Sequence, residues 1–405
     1  LRQASRTNRK KYMLFSLLFL AWVVDTISLN AMNVAIIPIS KELGLDKSQT
    51  GFVLSSWFIS GMLMTFLAGW LSDKFGSKKV LVTVFTIISL CTVFTGLAGS
   101  YLALIVIRLV LGIGEGGFST SSSVALADIF QKEERARAKS ILLAAQLVGG
   151  VLASVIAAWL LTVIGWRWMF AIFGVSGFMI AISIYKFFKL SHHGAEENEE
   201  EKKRSWSEIL RNAYLWKLVI MYFGISVVNW GISAWMPTYL AEVRHLDLLS
   251  LGSLSMIPAI LGLLASLGCG WLLDRYIVGR EKLLIMIGSV IGGISLYLMF
   301  HASTVLMVIL YQSFTSIGIA AVAITVLSLP LKYTSKNQMG SLMGIMYFGG
   351  SLAGAIAPTT MGYLIKTFHN SYDAAFWFLI AALLLCFLTS ILFHSPKQNS
   401  IAQHE

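Results

Sequence analysis

The chain has 405 residues, of which 57% are hydrophobic and only 13% charged, with a formal net charge of +11. Soluble domains carry about 25% charged and roughly 45–50% apolar residues, so a soluble enzyme built of several domains is excluded. The basic residues sit in short clusters between apolar runs rather than along one face, which excludes nucleic-acid binding as their purpose.

A bilayer span needs about 20 mostly apolar residues, and such runs repeat along the chain. They predict helices at 13–37, 51–72, 79–99, 102–126, 140–164, 168–189, 214–240, 249–273, 282–301, 304–329, 341–366 and 372–393. In lipid only helices or closed barrels satisfy their backbone, and runs such as Val80–Gly99 lack the two-residue alternation of barrel strands. An all-α membrane fold of twelve spans is therefore expected. The first run, from Tyr12 to Ile37, is too long for the apolar core of a signal peptide and has no clear small-residue cleavage site, so no cleaved leader is expected.

Of the 31 lysines and arginines, 25 lie at the termini, in the even-numbered loops and in the central linker. Lys132, Arg135, Arg137 and Lys139 are read as the fourth loop. The odd-numbered loops hold five, and Arg108 alone lies within a span. The positive-inside bias puts both termini in the cytoplasm. Between the sixth and seventh spans, Ser191 to Arg204 carries an acidic block followed by a basic one, which reads as a solvated linker. The expected organisation is a six-helix bundle at 1–190, a cytoplasmic linker at 191–212 and a second six-helix bundle at 213–405. His192 and His193 have no spaced partner ligands, so no metal site is expected. Cys91, Cys269 and Cys386 stand singly in spans and read as apolar filler. Trp166, Trp168 and Trp235 fall at span ends and read as an interfacial aromatic belt.

A repeat connects the two halves. Gly69-Trp70-Leu71-Ser72-Asp73-Lys74-Phe75-Gly76 follows the second span, and Gly270-Trp271-Leu272-Leu273-Asp274-Arg275-Tyr276 follows the eighth. Both copies resemble the G-x-L-x-D-(R/K)-x-G-(R/K) loop of the major facilitator superfamily. Span count, linker and orientation fit the same family over the whole chain. Ser77 replaces a basic residue in the first copy, and Gly279 comes two places late in the second. The resemblance implies two pseudo-symmetric bundles that rock about a midplane site. It also implies gating roles for Gly69, Asp73, Gly76, Gly270, Asp274 and Arg275, with each aspartate stabilised by a helix dipole in one conformation. A simple topology-setting loop is the alternative.

Three charges lie at depth, all in the first half: Asp25, Arg108 and Glu115. Charges in spans cost at least about 2.5–3.5 kcal/mol and are functional candidates by default. Arg108 and Glu115, seven residues apart, share one helix face at about 10 Å. The glycines Gly112, Gly114, Gly116 and Gly117 allow close helix approach. Arg108-x-x-x-Gly112-x-x-Glu115 with Asp25 in the first helix resembles the anion:cation symporter branch, which includes bacterial sugar-acid transporters and relatives of sialin. That resemblance implies Asp25 and Glu115 as proton carriers and Arg108 as the anion-binding group. Static pairing of Arg108 with either carboxylate is the alternative. Sugar-acid members place an arginine after the first-helix aspartate; here Thr26 stands there, which favours a monoanion.

The remaining cavity candidates are Thr26, Asn30 and Asn33 on one stripe of the first helix and Gln146 in the fifth. The second half offers Asn229, Trp230, Gln312 and Tyr347, and hydrogen bonding between helices is an equal alternative for each. The expected function is proton-driven symport of a small organic anion by a monomer in a bacterial plasma membrane. No catalytic constellation, cofactor or nucleotide-binding loop is expected, and the proton gradient supplies the drive. Proton-coupled export is disfavoured because the fifth helix lacks the exporters' proline. Organic-phosphate exchange would want more than one cavity arginine, and a non-transporting sensor would not need two coupled carboxylates.

Overall fold

The computed structural model describes residues 2–187, 213–277, 279–333 and 336–393. Every described element is a helix. In chain order they are α1 (Arg2–Glu42), α2 (Lys47–Phe75), α3 (Ser77–Leu97) and α4 (Tyr101–Ile129). The run Lys132–Phe187 breaks at Gly165 (φ 76°, ψ 169°) into α5 (132–164) and α6 (166–187). Then follow α7 (Ala213–Glu242), α8 (Leu248–Arg275), α9 (Glu281–His301), α10 (Val305–Tyr333), α11 (Lys336–Thr367) and α12 (Asp373–Ile391). Among the described residues, ten helical runs are long and apolar enough to cross a membrane, one of them carrying both α5 and α6. The bent α2, with 51° between Lys47–Thr65 and Leu67–Phe75, makes an eleventh. Large apolar side chains such as Leu102, Leu264 and Leu306 stand exposed, as lipid-facing residues do. This is a multi-pass membrane protein.

Most helices overrun the predicted spans. Hydropathy detects only the hydrocarbon-facing middle, whereas the backbone hydrogen-bond ladder continues into polar flanks. The clearest case is α5, which begins at Lys132, so Lys132 to Lys139 form its first turns and not a loop. Two helix starts are fixed locally. Asp46 caps α2 in a reciprocal box with Gln49, and Ser100 caps α4 by accepting from the Ala103 N–H. The predicted linker at 191–212 lies outside the described residues.

The helices form two compact units. The first holds α1–α6 together with Leu240–Met256; the second holds the rest of α7–α12. Within the first, Lys47 pairs with Glu242, and Gly252 lies so close to the Ser154 carbonyl that a Cβ would sit 2.7 Å from it. Lys11 pairs with Glu134 and stacks 4.5 Å over Phe130, which ties α1 to the α4–α5 turn. The Lys11 ammonium holds the Glu134 carboxyl below the usual carboxylate range.

Each unit has a polar tie in a corresponding place. In the first, Ser77, the first residue of α3, donates to Asp128, the last but one of α4, at 2.5 Å. In the second, Glu281 opens α9 and lies 3.8 Å from Lys332, the last but one of α10. Glu281 is fully buried and also accepts from the Gly279 N–H. Lys332→Met, which removes a cation from a buried carboxylate, is expected to cost about 2–3 kcal/mol. Ser77→Ala, which removes a hydroxyl donor from Asp128, is expected to cost about 1 kcal/mol. Thermal melts in detergent check the ranking.

Two tryptophans depart from the expected belt. Trp235 is fully buried and donates to the Pro358 carbonyl at 2.9 Å. Trp166 is buried and donates to Glu42 at 2.7 Å, beside the Arg167–Glu42 ion pair. Only Trp168 of the three is exposed. Span position gives depth along a helix, not the direction around it, and these two indoles point inward to carbonyl or carboxylate acceptors.

Candidate functional site

Glycines position the charged helix. A Cβ on Gly112 would lie 2.0 Å from the Trp57 carbonyl, and one on Gly116 would lie 2.2 Å from the Gly61 carbonyl. Those two residues press α4 onto α2. Gly114 and Gly117 do the same against Ile88 and Val84 of α3, with contacts of 2.6 Å each. With two flanks occupied by close packing, α4 turns Arg108, Leu111 and Glu115 toward the interior of the first unit. On α5, Gly149 brings that helix within 2.9 Å of the Thr26 Cβ, measured from where its own Cβ would stand. The α1 segment around Asp25 is thereby clasped by α5 and faces α4.

The Asp25 and Glu115 carboxyl groups face each other at close range across α1 and α4. Asp25 is 5% exposed, and its Oδ1 is buried without a hydrogen-bond partner. A bond between two carboxyl groups needs a proton on one of them.

Arg108 is 4% exposed, and its Nε has no hydrogen-bond partner. Among the described residues it makes no ion pair within 4.0 Å, although Glu115 acts on it through space. It faces a small cavity shared with Ser28, Thr92, Glu115 and Phe170, with room for about one water. Neither expected static pair of Arg108 with a carboxylate is a direct contact; the carboxyls face each other instead.

The other predicted residues scatter. Thr26 is buried against Gly149; Asn30 donates to the Thr26 carbonyl at 2.9 Å within its own helix; Asn33 is half-buried. Gln146 is exposed on α5. In the second unit Asn229 is exposed, Trp230 is half-buried, and Gln312 is buried with its Oε1 unpartnered. Tyr347 is 52% exposed and meets Tyr222 edge to face at 6.0 Å.

The loop motifs are built alike. Asp73 and Arg275 are exposed, Gly69 and Gly270 have open space beside them, and Asp274 falls in the last turn of α8. Lys74 lies 4.8 Å over Trp70, and Arg275 lies 6.0 Å over Trp271. Gly76 (φ 85°) and Gly279 (φ 79°) both adopt the left-handed region before the next helix. The late glycine of the second copy thus serves the same turn as the first.

Ser28 and Thr92, 3.5 Å apart, line the Arg108 cavity without belonging to any motif. Nor does Lys139, which resembles a loop cation in sequence. It lies partly buried on α5, donates to Ser123 Oγ at 2.7 Å and stands 5.8 Å from the Trp22 ring. Its signal is periodicity: Ala138, Leu142, Ala145 and Gly149 form the buried stripe of α5, and Lys139 adjoins it.

The model of the Major Facilitator Superfamily matches residues 14–358 and again 264–404. The chain is 30% identical over 399 residues to a probable sulfoacetate transporter of Cupriavidus necator, covering 91% of this chain and 90% of that protein. It is 25% identical over 421 residues to a probable galactarate/D-glucarate transporter of Escherichia coli, covering 93% and 94%. In structure it resembles a bacterial homologue of the human lysosomal transporter Spinster, solved inward-facing and occupied. The TM-score is 0.84 at 18% identity, over 94% of this chain and 97% of that one.

Proposed function

The chain belongs to the Major Facilitator Superfamily, and on that premise we propose that it is a proton-coupled symporter for a small organic anion, such as a sugar acid or a short carboxylate. Its relatives' names point to transport of organic anions and not to enzymatic chemistry. The observation that carries the reading is the close approach of the buried Asp25 carboxyl to that of Glu115, with Arg108 on the same face of α4 as Glu115.

The proposed cycle follows from charge. With one proton the carboxyl pair holds α1 to α4; without it, two like charges oppose each other at short range. A bound anion adds a negative charge that Arg108 neutralises, and a further proton neutralises the remaining carboxylate. The loaded, compensated site then crosses the midplane as the halves rock, which a net charge at depth would resist. We place the protein as a monomer in a bacterial plasma membrane, with both termini cytoplasmic by the distribution of its basic residues.

The test is uptake of labelled gluconate into proteoliposomes under an imposed inward proton gradient. Wild type is expected to accumulate it above equilibrium. Glu115→Gln is expected to lose accumulation at least about 100-fold, the effect of removing a positioned proton carrier, while gluconate–gluconate exchange survives. Accumulation by the variant equal to wild type would sink the coupling role. Outward movement of cationic or apolar compounds, with no anion uptake, would replace symport by export.

A further inference from the structure

Lys139 is a cation in a membrane helix that the cycle above does not use. Its ammonium has three donors. One goes to Ser123 Oγ, and among the described residues no carboxylate pairs with it. The same place holds a second unused donor. Trp22 is 6% exposed, yet its Nε1 has no hydrogen-bond partner. Its ring is fixed by Phe118 at 5.1 Å on one side and approached by Lys139 at 5.8 Å. Buried polar groups in proteins are nearly always satisfied, and an uncompensated cation within a span is retained where its charge is used.

Three helices converge there: α1 with Trp22, α4 with Ser123 and α5 with Lys139. The same three carry Asp25, Glu115 and Gln146. Along α4, Ser123 lies eight residues past Glu115 and fifteen past Arg108, or about 12 Å and about 22 Å at the helical rise. A small anion cannot touch Arg108 and Lys139 at once.

We infer that Lys139 and the Trp22 indole N–H form a second anion site, selective for a carboxylate or sulfonate, on the side of the carboxyl pair nearer the α4–α5 turn; Ser123, whose own hydroxyl donates to the Ser119 carbonyl at 2.9 Å, positions the ammonium by accepting from it. An ammonium and an indole N–H supply donors to two oxygens of such a group, and the Trp22 ring offers an apolar wall to its carbon chain. On the symport reading, on which this inference rests, the site receives the anion after it leaves Arg108. It also returns to the path the second cation that Thr26 removes from the first helix.

The test labels the protein with 5-fluorotryptophan and follows the fluorine resonance of Trp22, assigned among the 12 tryptophans by its loss in Trp22→Phe. Sodium gluconate is titrated against sodium chloride at matched ionic strength. In wild type the Trp22 signal is expected to shift saturably with gluconate and not with chloride. In Lys139→Gln, which keeps a donor to Ser123, the half-saturating concentration is expected to rise at least tenfold, and Lys139→Arg is expected to restore it. In Arg108→Gln the shift is expected to persist. No shift in wild type, an equal shift with chloride, an unchanged titration in Lys139→Gln, or loss of the shift in Arg108→Gln would each overturn the second site. Normal gradient-driven uptake with no Trp22 shift condemns this inference alone. A Trp22 shift without uptake condemns the symport reading alone.

Discussion

Arg108→Gln is expected to raise the KM for gluconate exchange at least about 100-fold. A guanidinium gripping a carboxylate makes two charge-assisted hydrogen bonds, each worth about 1.5–3 kcal/mol, and every 1.4 kcal/mol is tenfold. Exchange is the right assay because it needs no net proton movement, so a loss there reports anion binding and not coupling. Arg108→Lys keeps the charge but loses the fork, and is expected to recover only part of the affinity. The competing role is clear in this structure. Arg108 is buried, and Glu115 is the carboxyl that acts on it, so it could serve only to offset that acid. In that case Arg108→Gln would leave the KM near wild type and lower thermal stability, and Glu115→Gln in the same chain would restore stability. A raised KM that Glu115→Gln does not relieve establishes the anion role.

The helical class and the charged trio were legible because each rests on one physical rule. Long apolar runs must be helices in lipid, and a charge inside such a run is conspicuous. The glycines of α4 were legible as a spacing, and the carbonyls of Trp57 and Gly61 now identify what they approach. The pairing within the trio was not legible. Sequence places Arg108 and Glu115 on one face of one helix, but Asp25 reaches Glu115 only through the tertiary contact of α1 with α4. Hydropathy likewise misplaced Lys139, because a basic flank reads the same whether it is a loop or the first turns of a helix. Trp235 failed for the related reason that depth along a span says nothing about which neighbour an indole meets.

Substituting alanine along the small-residue faces is expected to separate neighbouring glycines sharply, and the ranking tests the helix packing that aims Arg108 and Glu115. At Gly112 the new methyl would stand 2.0 Å from a backbone carbonyl, and at Gly116 2.2 Å from another. Backbone cannot swing aside as a side chain can, so α4 must move off α2, at a cost at or above the ~1–3 kcal/mol typical of overpacking. At Gly61 the nearest atom is 3.1 Å away, and a shift of a few tenths of an ångström relieves it; the expected loss is below about 1 kcal/mol. Gly150 has nothing within 4 Å, whereas its neighbour Gly149 would meet Thr26 at 2.9 Å and the Val23 carbonyl at 3.0 Å. Gly150→Ala is therefore expected to be neutral or to stabilise by about 0.5–1 kcal/mol through reduced chain entropy, and Gly149→Ala to destabilise. Because Gly112 and Gly116 face the same helix, the double variant is expected to cost less than the sum of the singles: the first substitution has already parted α4 from α2. Melting temperatures in detergent give the ranking, and gluconate exchange gives its consequence. Equal melting temperatures for Gly112→Ala and Gly150→Ala would show that α4 is not pressed onto α2, and with that the placement of Arg108 and Glu115 would lose its physical basis.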